Sequence, residues 1–313
     1  MNPLEGKVAL VAGATRGAGR GIAVALGEAG ATVYCTGRST RSQPGNRPET
    51  IDETAELVAA AGGQGIAVRT DHTVEDEVRR LIERVDAEQG RLDILVNDVW
   101  GGDELTEFGK PFWEVSLANG RRMLDQALFS HVITSHCAAP LLQQTGGGLI
   151  VEITDGDSFG YRGNIFYDLV KTSVIRLAFI MSKDLRSHGI TSLAVTPGFL
   201  RSEAMLELFG VTEANWQQGT AVEADFIASE TPLFVGRAVA AVAADPNRHA
   251  KDGRVFSSWG LSDEYGFLDA HGDRPHWGRY FQEKYGAHPV CDDTFYRYWE
   301  NGPLEIGGGL PQE

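Results

Sequence analysis

The sequence predicts an α/β fold: one doubly wound domain with a parallel sheet of about seven strands and helices on both faces. Two observations predict it. Apolar, strand-like runs near 7–12, 32–36, 65–69, 92–96, 148–154, 190–196 and 254–258 alternate with helical patterns, the signature of repeated βαβ units. The runs are short and largely apolar, as in Leu92-Asp-Ile-Leu-Val-Asn97 and Gly148-Leu-Ile-Val-Glu-Ile-Thr154, so each strand must be covered on both sides.

Taken in order, Lys7-Val-Ala-Leu-Val-Ala12 reads as a buried strand, Gly13-Ala-Thr-Arg-Gly-Ala-Gly19 as a tight turn, and the stretch from Gly21 as the helix after it. A diphosphate suits the N-terminus of that helix. Free N–H groups and the helix dipole favour an anion there, and missing Cβ atoms let the backbone come close. The spacing is Gly-x-x-x-Gly-x-Gly, and such a turn can also serve only as a tight connection. After the second strand, residues 39–48 are rich in Gly, Pro, Ser and Arg and read as a loop. Two long helices are expected near 121–144 and 164–187. Thr231-Pro232 opens a late helix with a cap residue and a proline at the first helical position. The domain is expected to span 1–260, with a substrate loop near 199–230. A C-terminal extension, 261–313, carries Tyr265, Phe267, Trp277, Tyr280, Phe281, Tyr285, Phe295, Tyr296, Tyr298 and Trp299. So aromatic a tail should pack over the site or on a neighbouring subunit.

In a helix over 164–187, Tyr167 and Lys171 share one face. An adjacent ammonium favours phenolate, which makes proton exchange near neutral pH feasible. The bland alternative is an amphipathic face with a snorkelling lysine.

Together the glycine turn and the Tyr167-x-x-x-Lys171 pair mark a resemblance to the short-chain dehydrogenase/reductase family, from Lys7 to about Trp259. The Rossmann-type fold and a hydride transfer between nicotinamide and a carbonyl or alcohol are what that resemblance implies. It puts Gly13, Thr15, Arg16, Gly17, Ala18 and Gly19 at the cofactor's diphosphate and Asp71 at its adenine. Asn97 opens a divergent form of the family's Asn-Asn-Ala-Gly, Pro197-Gly198 follows the sixth strand, and Ser202 bonds the carboxamide or diphosphate. Tyr167 is then the acid/base, while Lys171 holds the ribose and tunes the phenol. The family selects its cofactor just beyond the second strand, where an acid binds the 2′-hydroxyl of NAD. Thr36-Gly37-Arg38-Ser39 offers no acid, so NADP(H) is implied, with Arg38 and Arg16 as phosphate ligands and Arg41 and Arg47 as further candidates.

Three departures from the family pattern stand out. Its serine at the end of the fifth strand maps to Asp155 by motif, or to Thr154 by counting back thirteen residues from Tyr167. Strand parity makes these alternatives face opposite ways. Thr154 keeps a hydroxyl donor and is preferred; Asp155, if ionised, would raise the tyrosine pKa. Ala127-Leu-Phe-Ser130 stands where an asparagine usually kinks the preceding helix, and the nearby Asp125 and Gln126 point elsewhere by helical periodicity. Trp100 replaces a glycine, as a pocket wall or a core filler. Ser158, Phe159, Tyr161, Phe166, Phe199, Phe209 and Trp216 line the expected substrate region, so a hydrophobic or aromatic small-molecule carbonyl or alcohol fits best. A nucleotide-binding sensor without turnover, or a non-redox lyase or epimerase, is the alternative. The resemblance also implies a homodimer or homotetramer through the two long helices, with Leu128, Val132, Val174 and Leu177 as contacts.

Composition bounds the rest. A net charge of −15 with no basic run argues against nucleic acid or an anionic membrane as partner. No apolar stretch approaches a membrane span and no leader pattern opens the chain, so a cytoplasmic protein is expected. Cys35, Cys137 and Cys291 are odd in number and far apart, which suits free thiols. His271, Asp273, His276, His288 and Cys291 lack metal-motif spacing, and no metal is expected.

Overall fold

The apolar runs form one parallel sheet in the order β3-β2-β1-β4-β5-β6-β7, where β1 is Val8–Ala12, β2 Thr32–Gly37, β3 Gln64–Arg69, β4 Ile94–Asn97, β5 Gly148–Ile153, β6 Ile190–Thr196 and β7 Val255–Ser257. This computed structural model describes residues 2–158, 160–286 and 296; Phe159, His288, Cys291, Phe295, Tyr298 and Trp299 lie outside the described residues. Strand order reverses between β1 and β4, and the register Ala12↔Asn97↔Glu152 brings the carboxyl ends of β1, β4 and β5 level. A crevice at such a switch point is where open α/β sheets bind ligands.

Helices cover both faces because each carries an apolar stripe. On one side lie α1 (Gly17–Glu28), α2 (Ile51–Ala60) and α8 (Pro232–Ala244), which bury Ile22, Leu26, Val58, Val235 and Val239 against the sheet. On the other, α3 (Glu75–Gln89), α5 (Ser130–Gln144) and the C-terminal end of α6 (Ile165–Leu185) bury Leu81, Val85, Leu141, Leu142 and Leu185. Caps set the starts. Asn164 Oδ1 accepts from the N–H groups of Phe166 and Tyr167, and Thr231 Oγ1 accepts from Leu233 N ahead of Pro232. Among the described residues, no helix is long and apolar enough to cross a membrane.

Two expectations are corrected here. The helix expected near 121–144 is α4 (Leu117–Leu124), then a π turn over Asp125–Phe129, then α5. The helical phase shifts by one residue without the asparagine, because a π turn inserts one extra residue. Val174 is 1 % exposed and packs with Leu105, Met123, Ala127 and Val170, so it belongs to this chain's own core and not to a contact surface. The exposed large apolar residues on these helices are Leu117, Phe129, Leu169 and Ile180.

α1 and α8 pack at backbone distance through glycines. A Cβ on Gly21 would lie 2.0 Å from the Pro232 carbonyl oxygen, and one on Gly236 would lie 2.3 Å from that of Gly21. Backbone atoms on both sides cannot yield without moving a helix. Gly21→Ala should therefore lower unfolding stability by about 3 kcal/mol despite alanine's better helix propensity, as measured by denaturant midpoint; an unchanged or raised midpoint would show that the helices slide freely.

Candidate active site

The glycine turn leaves β1 and passes under the end of β4. A Cβ on Gly13 would sit 2.5 Å from the Asp98 carbonyl oxygen, and one on Gly19 would meet Gly13 O at 2.3 Å and Asp98 Oδ2 at 2.8 Å, so only glycine permits this approach. Arg16 caps α1 with extended backbone, while Thr15 fixes the turn by accepting from Arg20 through its carbonyl at 2.9 Å. Ala18 is buried behind it. The N–H of Gly17 already donates to a carboxylate, Glu203 Oε2 at 2.8 Å, and Arg20 Nη1 lies 3.4 Å from the other oxygen. An anion thus sits at the helix start, which fits a diphosphate site by its donor chemistry.

Tyr167 and Lys171 face the end of β5 from α6. The Tyr167 hydroxyl donates to Asp155 Oδ2 at 2.8 Å, whereas Thr154 is 2 % exposed and its hydroxyl donates to the Lys171 carbonyl at 2.7 Å. The preference for Thr154 as the group facing the tyrosine is therefore corrected: strand parity turns it into α6 and brings Asp155 forward. The expected lowering of the phenol pKa is reversed as well. Burial first, then the charge and hydrogen bond of Asp155, hold Tyr167 well above its ordinary value. Burial lowers the pKa of Lys171, opposed by Asp155, Asp98 and Asp103. Asp98 is pushed up to about 7 by burial, against the pull of Lys171 and a hydrogen bond from the Gly19 backbone.

Trp100 lies against both site residues. Its ring is 4.2 Å from the Lys171 ammonium and edge-on to Tyr167 at 5.3 Å, and its Nε1 donates to Asp103 at 2.5 Å. The indole is thus a wall of the site. Phe108 tilts over Tyr167 at 5.7 Å while remaining 61 % exposed. Asn97 is corrected in the other direction. Its amide is buried and donates to Glu152 Oε1 at 2.7 Å and Ser135 Oγ at 2.9 Å, so the side chain ties β4 to β5 and does not face the cleft. His131 completes this network, bonded to Glu152 at 2.7 Å and to the Val99 carbonyl at 3.1 Å. Sequence reasoning missed Gln126 because the π turn breaks the 3.6-residue period: a Cβ on Gly101 would lie 3.4 Å from Gln126 Oε1, a buried atom with no partner among the described residues.

Beyond β2, Arg38 is 57 % exposed and its Nη1 is 4.0 Å from Asp71, whose other oxygen accepts from Thr73. Arg41 and Arg47 are engaged elsewhere, Arg41 with Glu56 and Arg47 with Glu49 and Glu207. Gly198, after Pro197, donates its N–H to Glu230 Oε2 at 2.9 Å, and a Cβ there would meet Trp277 at 2.8 Å. Burial pushes Glu230 up to about 8, and its Oε1 finds no partner among the described residues. Ser202 caps α7 (Glu203–Leu208) and lies beside Gly17. Phe199, Phe209 and Trp216, expected in the substrate region, form a half-buried aromatic cluster: each packs edge-on against buried Phe226, and Trp277 joins through Phe199. Phe166 packs toward α4 against Gly120. Ser158 is buried and Tyr161 exposed. The tail's α10 (Trp277–Tyr285) reaches this loop through Tyr280, Lys284 and Tyr285, all on Asp225. Among the described residues no cluster of metal-ligating side chains occurs.

The family model described as short chain dehydrogenase matches residues 7–210. Dehydrogenase/reductase SDR family member 1 of Homo sapiens is 36 % identical over 274 residues, 86 % of this chain and 85 % of its own length. 7alpha-hydroxysteroid dehydrogenase of Escherichia coli (strain K12) is 32 % identical over 203 residues, covering 64 % and 74 %. Among solved structures, a hydroxysteroid dehydrogenase from Escherichia coli superposes with a TM-score of 0.66 at 26 % identity, over 82 % of this chain and 97 % of that one.

A dinucleotide's diphosphate and the Glu203 carboxylate cannot share the Gly17 amide. Glu203→Gln removes the competing charge and should lower the NADPH dissociation constant about tenfold, or about 1.4 kcal/mol, by fluorescence titration. Weaker binding would mean that the carboxylate supports the cofactor.

Proposed function

The chain belongs to the short-chain dehydrogenase/reductase family, in the branch of dehydrogenase/reductase member 1, and on that premise we propose an NADP(H)-dependent oxidoreductase that interconverts a carbonyl and an alcohol on an apolar or aromatic small molecule. One observation carries the reading. Lys171, one turn from Tyr167 on α6 and partly exposed like it, interacts with the carboxylate of Asp98, which the glycine turn itself holds through Gly19. Proton chemistry and an anion-binding turn meet in one cleft. Bound nicotinamide would supply the hydride chemistry. The amides of Gly17, Ala18 and Gly19 with Ser202 would hold its diphosphate, Arg38 and Arg16 a 2′-phosphate, Asp71 the adenine side, Lys171 the ribose, and Pro197-Gly198 the carboxamide.

Tyr167 then exchanges the proton at the substrate oxygen, and Trp100 and Phe108 give that position an apolar rim. Hydroxysteroids belong in a substrate panel, since relatives carry that name. The commitment of the Thr154 hydroxyl to Lys171 favours a second reading, a cofactor-binding sensor without turnover, because the usual hydroxyl donor is missing. A homo-oligomer built on the face of Phe129, Leu169 and Ile180 belongs to the first reading, and a single-chain mass by light scattering would remove it.

One set of measurements tests the enzyme. NADPH should bind at least about tenfold tighter than NADH, and Arg38→Ala should erase most of that difference. Tyr167→Phe should remove most turnover on a carbonyl panel while leaving NADPH affinity nearly intact. Equal affinities would sink the phosphate assignment; saturable NADPH binding with no consumption in the parent protein would install the sensor.

A further inference from the structure

Resting on the oxidoreductase reading, we infer that Asp155 is the terminal proton acceptor in alcohol oxidation, with Tyr167 as the relay between the substrate hydroxyl and that carboxylate. The phenol's own hydrogen is directed at Asp155 Oδ2, 2.8 Å away, which leaves the lone pairs of Oη to accept a hydrogen bond from substrate. The end of β5 offers no competing hydroxyl, since Thr154 donates into α6. Burial and the Asp155 charge keep the phenol neutral, so a preformed tyrosinate is not the base near neutral pH. The charges around the pair come from α6, from the end of β4 and the segment after it, and from the loop before α6. They are Lys171 on α6, Asp98 at the end of β4, Asp103 in the segment that follows β4, and Arg162, whose Nε donates to the Asp155 carbonyl at 2.6 Å.

The step balances. The carbinol C–H bond breaks with its electron pair and hydrogen passing as hydride to oxidised nicotinamide. The substrate O–H proton passes to Tyr167 Oη as the phenol's original proton passes to Asp155 Oδ2. Carbonyl product, reduced cofactor and a neutral Asp155 carboxyl result. Asp155 is partly exposed and returns the proton to solvent. Carbonyl reduction runs the same relay backwards from the protonated carboxyl.

The test has one arm without substrate. Phenolate absorbance is titrated in the parent, Asp155→Asn and Asp155→Ser, with Tyr167→Phe subtracted to isolate the one phenol. Removing the carboxylate deletes its charge and its hydrogen bond, both of which raise Tyr167, so the phenolate should appear at lower pH in both Asp155 variants. Identical titrations would overturn the coupling whether or not any alcohol is consumed. The kinetic arm is single-turnover oxidation with NADP+ across pH. In the parent the rate should vary less than about twofold between pH 6 and 9, because the proton moves along the hydrogen bond that already joins Tyr167 to Asp155 and no phenolate has to form first. Asp155→Asn should be at least about a hundredfold slower at pH 7 and gain about tenfold per pH unit, since phenolate must now form first. Asp155→Ser should recover rate only toward high pH, and carries the same test if the asparagine variant does not fold. A slowed variant with the parental flat profile would make Asp155 a positioning residue and overturn the relay. A coupled titration with no alcohol or carbonyl consumed by the parent would instead reject the oxidoreductase reading, and the relay with it.

Discussion

Desolvating one ammonium group organises this site. Lys171 enters the cleft from α6 where burial works against its charge, and the surroundings answer with carboxylates at Asp98, Asp103 and Asp155 and with the face of Trp100. Three of these four occupy positions where the family pattern has asparagine, glycine and serine. The departures are not independent. An aspartate at 155 raises the tyrosine and supports the lysine, one at 98 supports the same lysine from the sheet, and the indole of Trp100 adds an attractive ring while anchoring Asp103. Each would be costly alone, because an unpaired buried carboxylate is expensive, and together they compensate.

The same logic recurs along the expected cofactor groove. Glu203 sits on the amide of Gly17, Glu207 on Arg47 and Asp71 near Arg38, so the chain's own acids occupy places where phosphates and hydroxyls would arrive. With a net charge of −15 the protein has anions to spare, and donors at a helix start attract whichever is nearest. Two of the three acids lie on α7, which therefore spans the groove from the glycine turn to the loop after β2.

Much of this was legible in the sequence. Buried parallel strands leave continuous apolar runs, and a glycine turn leaves its spacing, so strand number and the crevice followed from local rules. That Tyr167 and Lys171 share a face needs only helical geometry. What was not legible depends on one-residue phase or on distant partners. Whether Thr154 or Asp155 looks forward is a matter of strand parity, which loop-length counting cannot resolve. Gln126 reaches Gly101 only because a π turn shifts the helix by one residue. Arg47 is held by Glu207, 160 residues away, and Phe199, Phe209 and Trp216 gather on Phe226 only once the loop has folded.

The seating of Gly198 ties α10 to the segment that follows β6. Glu230 accepts from its amide and the Trp277 side chain lies where a Cβ would project, while Lys284, Tyr280 and Tyr285 fasten α10 to Asp225 in the same loop. Opening of that loop and undocking of α10 are consequently one event rather than two. Sequence drift in α10 is then a route by which evolution can retune the segment after β6.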